Sequence, residues 1–438
     1  MVDPIALGTG GGRAVAESVE SRASWVAAGV ALAILSISFG APLVVVVGLK
    51  PIAAALGSDR SLIALAGSLT WLGMGLGGIF AGWAADRVGV RWTVVFGAVM
   101  AACGLALSAS GTVWALEIGH GLLIGLCGSG AVYPPLVVYI SRWFDRRRGI
   151  AVALISSGQY VAGAVWPSAF ERGIAAFGWQ ATMLGFAVVV LAVILPLALL
   201  LKPVPQAGEV EAGATESGRA APISGLSAGR VQLLLCGAAF LCCVPMAMPS
   251  THLVAFCSDL GFAPQQGALM LSVLLGCAFF SRLAWGGIAD RIGGLRAVFA
   301  GSACQTLAIA AFTSTRNEAG LFAVAAAFGL GFSGIVPAYV LAIRELFPPG
   351  EASWRVPTQL FTSMSGMAFG GWFAGALYDR FGFYAPAFAA GALFNLANLA
   401  VVGFLLVRQA RASSASPSPQ PSPRARGEGG TRAEGAGG

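Results

Sequence analysis

Charge is scarce in this sequence. Only 10% of its 438 residues are Asp, Glu, Lys or Arg, while 57% are hydrophobic and the mean hydropathy is +0.80. A soluble domain carries about 25% charged residues, so a water-facing surface is excluded, and with it a soluble enzyme, a disordered chain or a secreted disulfide scaffold. Lysine is almost absent: Lys50 and Lys202 are the two lysines among 26 basic residues. The net charge of +7 is spread in small groups between apolar stretches, which is not a nucleic-acid footprint. No Gly-x-x-x-x-Gly-Lys-Ser/Thr loop is present to hold a nucleotide. The eight cysteines form no Cys-x-x-Cys pair and have no His at ligand spacing, so no metal or other cofactor is expected.

What is present is apolar sequence in runs that can cross a bilayer, which takes about 20 residues of helix. Twelve stretches qualify: 24–49, 61–85, 92–110, 113–140, 149–171, 178–201, 231–257, 265–288, 296–314, 319–343, 357–379 and 383–407. The expected fold is therefore an all-α polytopic membrane protein. A tail (1–23) precedes a first six-helix bundle (24–201), and a polar linker (202–230) leads to a second bundle (231–407) and a final tail (408–438). The linker is rich in Gly, Ala, Pro and Glu and reads as flexible. The first residues lack a signal peptide's compact basic region and cleavage site, and the Pro/Ser/Gly-rich last segment reads as disordered.

The basic residues orient the chain. With the N-terminus inside, 20 of them fall in inner segments and five (Lys50, Arg60, Arg172, Arg316, Arg380) in outer ones. That asymmetry predicts cytoplasmic termini on a multi-pass protein of the plasma membrane, the inner membrane in a bacterium. A repeat is also legible. Asp86, Arg87 and Gly89 after the second span recur as Asp290, Arg291 and Gly293 after the eighth, 204 residues on. Pro134 and Phe144 match Pro337 and Phe347 at an offset of 203, and Gly178 matches Gly382 at 204. Six spans is an even number, so the two halves are predicted to be parallel repeats with a binding site between them.

On these residues the chain resembles the major facilitator superfamily. The loop Gly82-Trp-Ala-Ala-Asp86-Arg87-Val-Gly89-Val-Arg91 matches that family's Gly-x-x-x-Asp-Arg-x-Gly-x-Arg signature, and the copy from Gly286 to Arg296 has one extra residue before its last Arg. Within the superfamily, four segments are similar to the monocarboxylate transporter and oxalate/formate antiporter group: LKPIAAALG, RWFDRRRG, FGW and SRLAWGGIADRIG. The resemblance implies the major facilitator fold. It also implies that Gly82, Asp86, Arg87, Gly89 and Arg91, with Gly286, Asp290, Arg291 and Gly293, latch the cytoplasmic ends and bias the outward-open state.

Arg282 is the sharpest candidate for chemistry. It precedes Asp290 by eight residues, about 12 Å of helix, and a cation that deep needs water or a partner. Its guanidinium fork matches a carboxylate, and the related transporters carry an Arg at this point. Lys50 falls about 37 Å along the first span, where it is either a snorkelling residue or, as the resemblance implies, a substrate-capture residue. Tyr133, Gln159, Tyr160 and Asn395 lie about 13–20 Å into their spans. They are either cavity residues or interhelical hydrogen-bond partners. His252, His120 and Glu117 are proton-coupling candidates towards the outer mouth.

Two features of the relatives are missing. Ala278 stands where animal monocarboxylate transporters have an Asp, and 357–379 contains no lysine, which favours a monoanion over a dianion. The expectation is a monomeric secondary transporter, not an enzyme. It would move a small organic monoanion, coupled to protons, by alternating access. An exporter of amphipathic drugs and an anion exchanger of the oxalate/formate type are the alternatives.

Overall fold

The computed structural model describes residues 20–144, 146–202 and 225–415. Most of the N-terminal tail, the linker over 203–224 and the tail beyond 415 lie outside the described residues. All regular structure among those described is helical. Among the described residues, ten helical stretches are long and apolar enough to cross a membrane. One of them, Gly149–Leu199, holds two crossings. Its helix breaks at Gly178 (φ 81°, ψ 165°), a backbone that L side chains rarely adopt. Beyond that break the chain runs back on itself, so Trp166 and Phe186 stack edge-on with centroids 4.7 Å apart. The helix Ala352–Phe381 has 30 residues, ample for a crossing, but Thr358, Gln359, Thr362, Ser363 and Ser365 lower its apolarity.

Among the described residues the chain therefore forms twelve spanning helices in two sets of six. The first set is α1 (Arg22–Leu56), α2 (Arg60–Val88), α3 (Val90–Ser108), α4 (Val113–Ser141), α5 (149–177) and α6 (179–199). The second is α7 (Ala228–Asp259), α8 (Pro264–Ile292), α9 (Gly294–Ser314), α10 (Glu318–Leu346), α11 (Ala352–Phe381) and α12 (Ala385–Ala415).

Local geometry repeats between the sets. Gly89 (φ 87°, ψ 147°) ends α2 as Gly293 (φ 87°, ψ 155°) ends α8. Gly178 and Gly382, ahead of α6 and α12, have φ of 81° and 80°. Thr112 caps α4 by accepting from the Ala115 amide, and Asn317 caps α10 by accepting from the Gly320 amide. Each cap satisfies an amide that a helix start would otherwise leave orphaned.

Lipid gives helices no hydrophobic reason to associate, so close packing of small residues holds such bundles together. Gly73 and Gly77 of α2 sit against the α4 backbone at 125–126, and Gly366 and Gly370 of α11 against Phe240 and Val244 of α7. A Cβ at Gly370 would overlap the Val244 carbonyl, so Gly370→Val would force those helices apart. Aromatic clusters fill each half: Trp166, Phe170 and Phe186 in the first, Phe256, Phe312 and Phe388 in the second. Outward, large apolar side chains stand free, among them Phe80, Phe177, Phe280 and Leu307, each at least 70% exposed. Such a surface suits a bilayer.

Candidate functional site

The two ends of the helical bundle are distinguished by their contacts. At one, here the tail face, Glu20 meets Arg147, and the Tyr139 hydroxyl donates to the carbonyl of Lys202. Lys50, Arg60, Asp259 and Asp379 gather at the other, the far face. Between the ends lies a cavity of about 210 Å³, bounded by α1, α2, α4 and α5 of the first half and α7, α8, α10 and α11 of the second.

Several helices lose regularity where they reach this cavity. The helical run of α1 is interrupted over 39–42, presenting Phe39, Pro42 and Leu43. α10 is interrupted at Ser333 and Gly334, between the lining residues Phe332 and Val336. Helix α5 bends at Ser157, just before Gln159 and Tyr160, and α4 widens to i→i+5 winding over Gly119–Ser129 ahead of Tyr133. Non-helical backbone at mid-membrane depth is tolerated where it is buried in protein or lines a cavity.

Arg282, Tyr160, Gln159 and Tyr133 all line the cavity, and Arg282 is its one charged lining residue among those described. The Arg282 guanidinium carbon is 5.4 Å from the centroid of the buried Tyr160 ring, within cation–π range. No ion pair among the described residues engages it. Tyr160 packs edge-on to Phe332 across the halves at 6.0 Å, and Tyr133 edge-on to Phe39 at 5.5 Å. A partly buried cation beside hydroxyl and amide groups, with no other charge in the described lining, can hold one carboxylate.

The other sequence candidates lie elsewhere. Asn395 is buried inside the second half, donating to the Ser302 carbonyl at 3.0 Å and accepting from Asn398 at 3.1 Å. That is the interhelical role the sequence left open. Lys50 reaches Asp259 at 3.0 Å and the Ser258 hydroxyl at 3.1 Å on the far face. His120 is buried between α3 and α4, its Nδ1 near the Ser108 hydroxyl and the Leu116 carbonyl. Glu117 is half-buried one turn away. His252 is buried near the far face, with Nδ1 3.1 Å from the Tyr384 hydroxyl and Nε2 2.8 Å from the Gly371 carbonyl.

The loop signature stays within each half. Asp86 pairs with Arg142 at 3.2 Å, Arg87 covers the Trp83 ring at 3.7 Å, and Arg91 donates to the Leu201 carbonyl at 2.9 Å. Gly82 and Gly286 have open space around them. Asp290 and Arg291 are exposed, and the amide of Gly294, just past Gly293, donates to Glu345 at 2.9 Å.

Sequence reasoning did not single out the far-face network. Both Nη atoms of Arg60 donate to Asp259, and Nη1 also donates to the Tyr384 hydroxyl at 3.1 Å. The guanidinium lies 3.8 Å over the Tyr378 ring. Asp379 accepts from the Arg60 and Ser61 amides at 3.0 and 2.9 Å, a carboxylate on the orphan amides that open α2. Every one of these contacts crosses from the first half to the second. No charge pattern in the sequence marks this network, since Asp59 precedes Arg60 and Arg380 follows Asp379.

Two parallel six-helix repeats around one cavity form the architecture of a secondary transporter. The family model described as Major Facilitator Superfamily matches residues 25–354 and 258–433, and the chain belongs to that superfamily, whose transporters move small solutes across membranes. Among curated relatives it is 25% identical over 299 residues to MFS-type transporter 1 of Ophiocordyceps sp., covering 66% of this chain and 64% of that one. It is 26% identical over 320 residues to monocarboxylate transporter 13 of Rattus norvegicus, covering 72% and 73%. The agnestins efflux protein of Paecilomyces divaricatus is 25% identical over 260 residues, covering 58% and 57%. The chain spans just under two thirds of the length of MFS-type transporter 1. Among solved structures, an inward-facing, unoccupied bacterial homologue of the human lysosomal transporter Spinster superposes with TM-score 0.65 at 16% identity, covering 90% of this chain and 97% of that one. A POT family transporter in complex with a thioalcohol-conjugated peptide gives 0.68 at 14%, covering 88% and 96%. These likenesses establish the fold.

Proposed function

We propose that the protein is a secondary carrier of a small organic monoanion, coupled to protons and working by alternating access between the bundles 24–201 and 231–407. The observation that carries this is Arg282: a single cation in a cavity between the halves whose other described lining residues are uncharged. One positive charge suits one carboxylate, and the similarity to a protein named as a monocarboxylate transporter supports the same class. The distribution of basic residues supports a cytoplasmic tail face, and the membrane in this reading is the plasma membrane. The working unit is the monomer.

His252 is the coupling candidate that the far-face network favours. Arg60 donates to the Tyr384 oxygen, leaving the Tyr384 hydroxyl to donate to His252 Nδ1, while Nε2–H donates to Gly371. A proton on Nδ1 turns it from acceptor to donor, so two cations, His252 and Arg60, then share the Tyr384 oxygen, and their repulsion loosens the contact between the halves. Uptake is then expected to rise when the outside is acidified and to collapse with a protonophore.

A second reading, an exporter of amphipathic molecules, is favoured by the apolar lining and by the relative named as an efflux protein. Uptake of labelled lactate, pyruvate, formate and oxalate into proteoliposomes separates the two. Arg282→Ala should abolish uptake with folding intact, a loss of about 2–5 kcal/mol or roughly thirtyfold to several thousandfold. Arg282→Lys should nearly fail too, because a point charge does not reproduce the two-point grip. Normal uptake by Arg282→Ala would put the exporter first.

A further inference from the structure

The side walls of the cavity differ in chemistry. Helices α5 and α8 meet where Gly163 touches Leu275 and Ser168 approaches Ser272, and they contribute Gln159, Tyr160 and Arg282 to the lining. Helices α2 and α11 meet at a separate seam, where Gly75 touches Met364 and Gly371 touches Ser68. They contribute the large apolar side chains Trp71, Met74, Leu360, Met364 and Met367 with the small hydroxyls of Thr70 and Ser363 between them. Helix α7, packed on α11, adds Met246 beside Ser250 and Thr251. Four of the nine methionines in the chain thus line one cavity.

Thioether side chains are unbranched and polarisable. They adapt to irregular apolar shapes and make favourable contacts with aromatic rings. A wall of methionine and indole facing a cation is a bipolar receptor. We infer that the substrate is an amphipathic monoanion, a carboxylate on an aromatic body. Its ring lies on the α2/α11 wall and its carboxylate points to Arg282 and Tyr160. This rests on the monoanion reading above and narrows it. The volume agrees: an apolar cavity of about 150 Å³ already admits benzene, and this one is about 210 Å³. A two- or three-carbon acid satisfies Arg282 but leaves the thioether wall uncovered.

Acetate and phenylacetate share a carboxylate and differ by the ring, and 2-phenylethanol keeps the ring without the charge. Equilibrium binding of radiolabelled phenylacetate to the full chain in nanodiscs, competed with the other two, tests the assignment. Phenylacetate should bind at least about tenfold more tightly than acetate, as expected for burying a phenyl group. Met364→Ser with Met367→Ser should shrink that preference to about threefold or less, while Met364→Leu keeps it. Arg282→Ala should weaken both acids by a similar factor. Equal binding of acetate and phenylacetate by the wild type, both lost in Arg282→Ala, overturns the aromatic assignment and leaves the monoanion reading standing. No phenylacetate binding by the wild type overturns the assignment as well. If 2-phenylethanol matches phenylacetate in both wild type and Arg282→Ala, the monoanion reading itself falls.

Discussion

The two ends of the molecule use charge in opposite ways. At the far face the ion pairs run across the divide, from Lys50 and Arg60 of the first half to Asp259 of the second, and Asp379 of the second half accepts from the Arg60 and Ser61 amides. At the tail face, among the described residues, Asp86–Arg142 and Glu351–Arg355 each join residues of one half, and Glu20 of the N-terminal tail meets Arg147 of the first. Only the first arrangement responds to how the halves sit against each other. The second shapes loops. Glycine follows the same division: a Cβ at Gly375 would press on Ser61, and one at Gly371 on Ser68, both towards the far face. The structure is therefore closed at the far face by ion pairs and close backbone packing together.

The harshest way to break this comparison is Arg60→Ala. It removes the contacts with Asp259, Tyr384 and Tyr378 at once, and the Arg60 side chain is only 11% exposed. Truncating one partner of a buried, hydrogen-bonded charge pair costs about 2–5 kcal/mol. Asp259 is partly solvated, so the low end applies, about 2 kcal/mol or roughly thirtyfold in the closed–open equilibrium. Hydrogen–deuterium exchange in nanodiscs should show faster exchange over residues 60–68 and 371–379. Exchanging the charges, Arg60→Asp with Asp259→Arg, should recover much of the protection. Unchanged exchange in Arg60→Ala would mean that glycine packing alone closes this end.

The sequence shows the fold and half of the site for a physical reason. Spans, repeat and Arg282 depend on local runs, spacing and depth, which one helix reveals by itself. The far-face network depends on groups 199 to 324 residues apart, brought together only when two bundles dock, so each looked like an interfacial charge. Asn395 shows the limit of depth as a criterion. It lies at mid-depth, yet its helix turns it to Ser302 rather than the cavity, and rotation about the axis is not legible from depth. The methionine wall was hidden similarly, since Met74, Met246, Met364 and Met367 come from three helices.

A smaller effect sharpens the contrast from the tail face. Asp86 and Arg142 are 64% and 56% exposed and belong to one half. Such a surface pair contributes at most about 1 kcal/mol, roughly fivefold locally. Asp86→Asn should speed exchange around residues 82–91 and leave residues 60–68 and 371–379 as they were. A far-face response as large as that of Arg60→Ala would show that the signature loop acts across the halves after all.

The smallest expected effect belongs to Lys50, and it separates two accounts of that residue. Its ammonium is 3.0 Å from Asp259 and the side chain is 45% exposed, while Asp259 already holds both Nη atoms of Arg60. A third, solvated partner adds about 0.5 kcal/mol, near twofold. Lys50→Ala should therefore raise far-face exchange about twofold at low salt. The difference should vanish in 1 M salt, where screening acts within about 3 Å. If Lys50 instead captures substrate, the same variant would leave exchange alone and slow anion uptake from the far side at low salt, because a steering charge acts on the association rate. Exchange and uptake measured on one preparation give opposite patterns under the two accounts, and the direct contact with Asp259 favours the first.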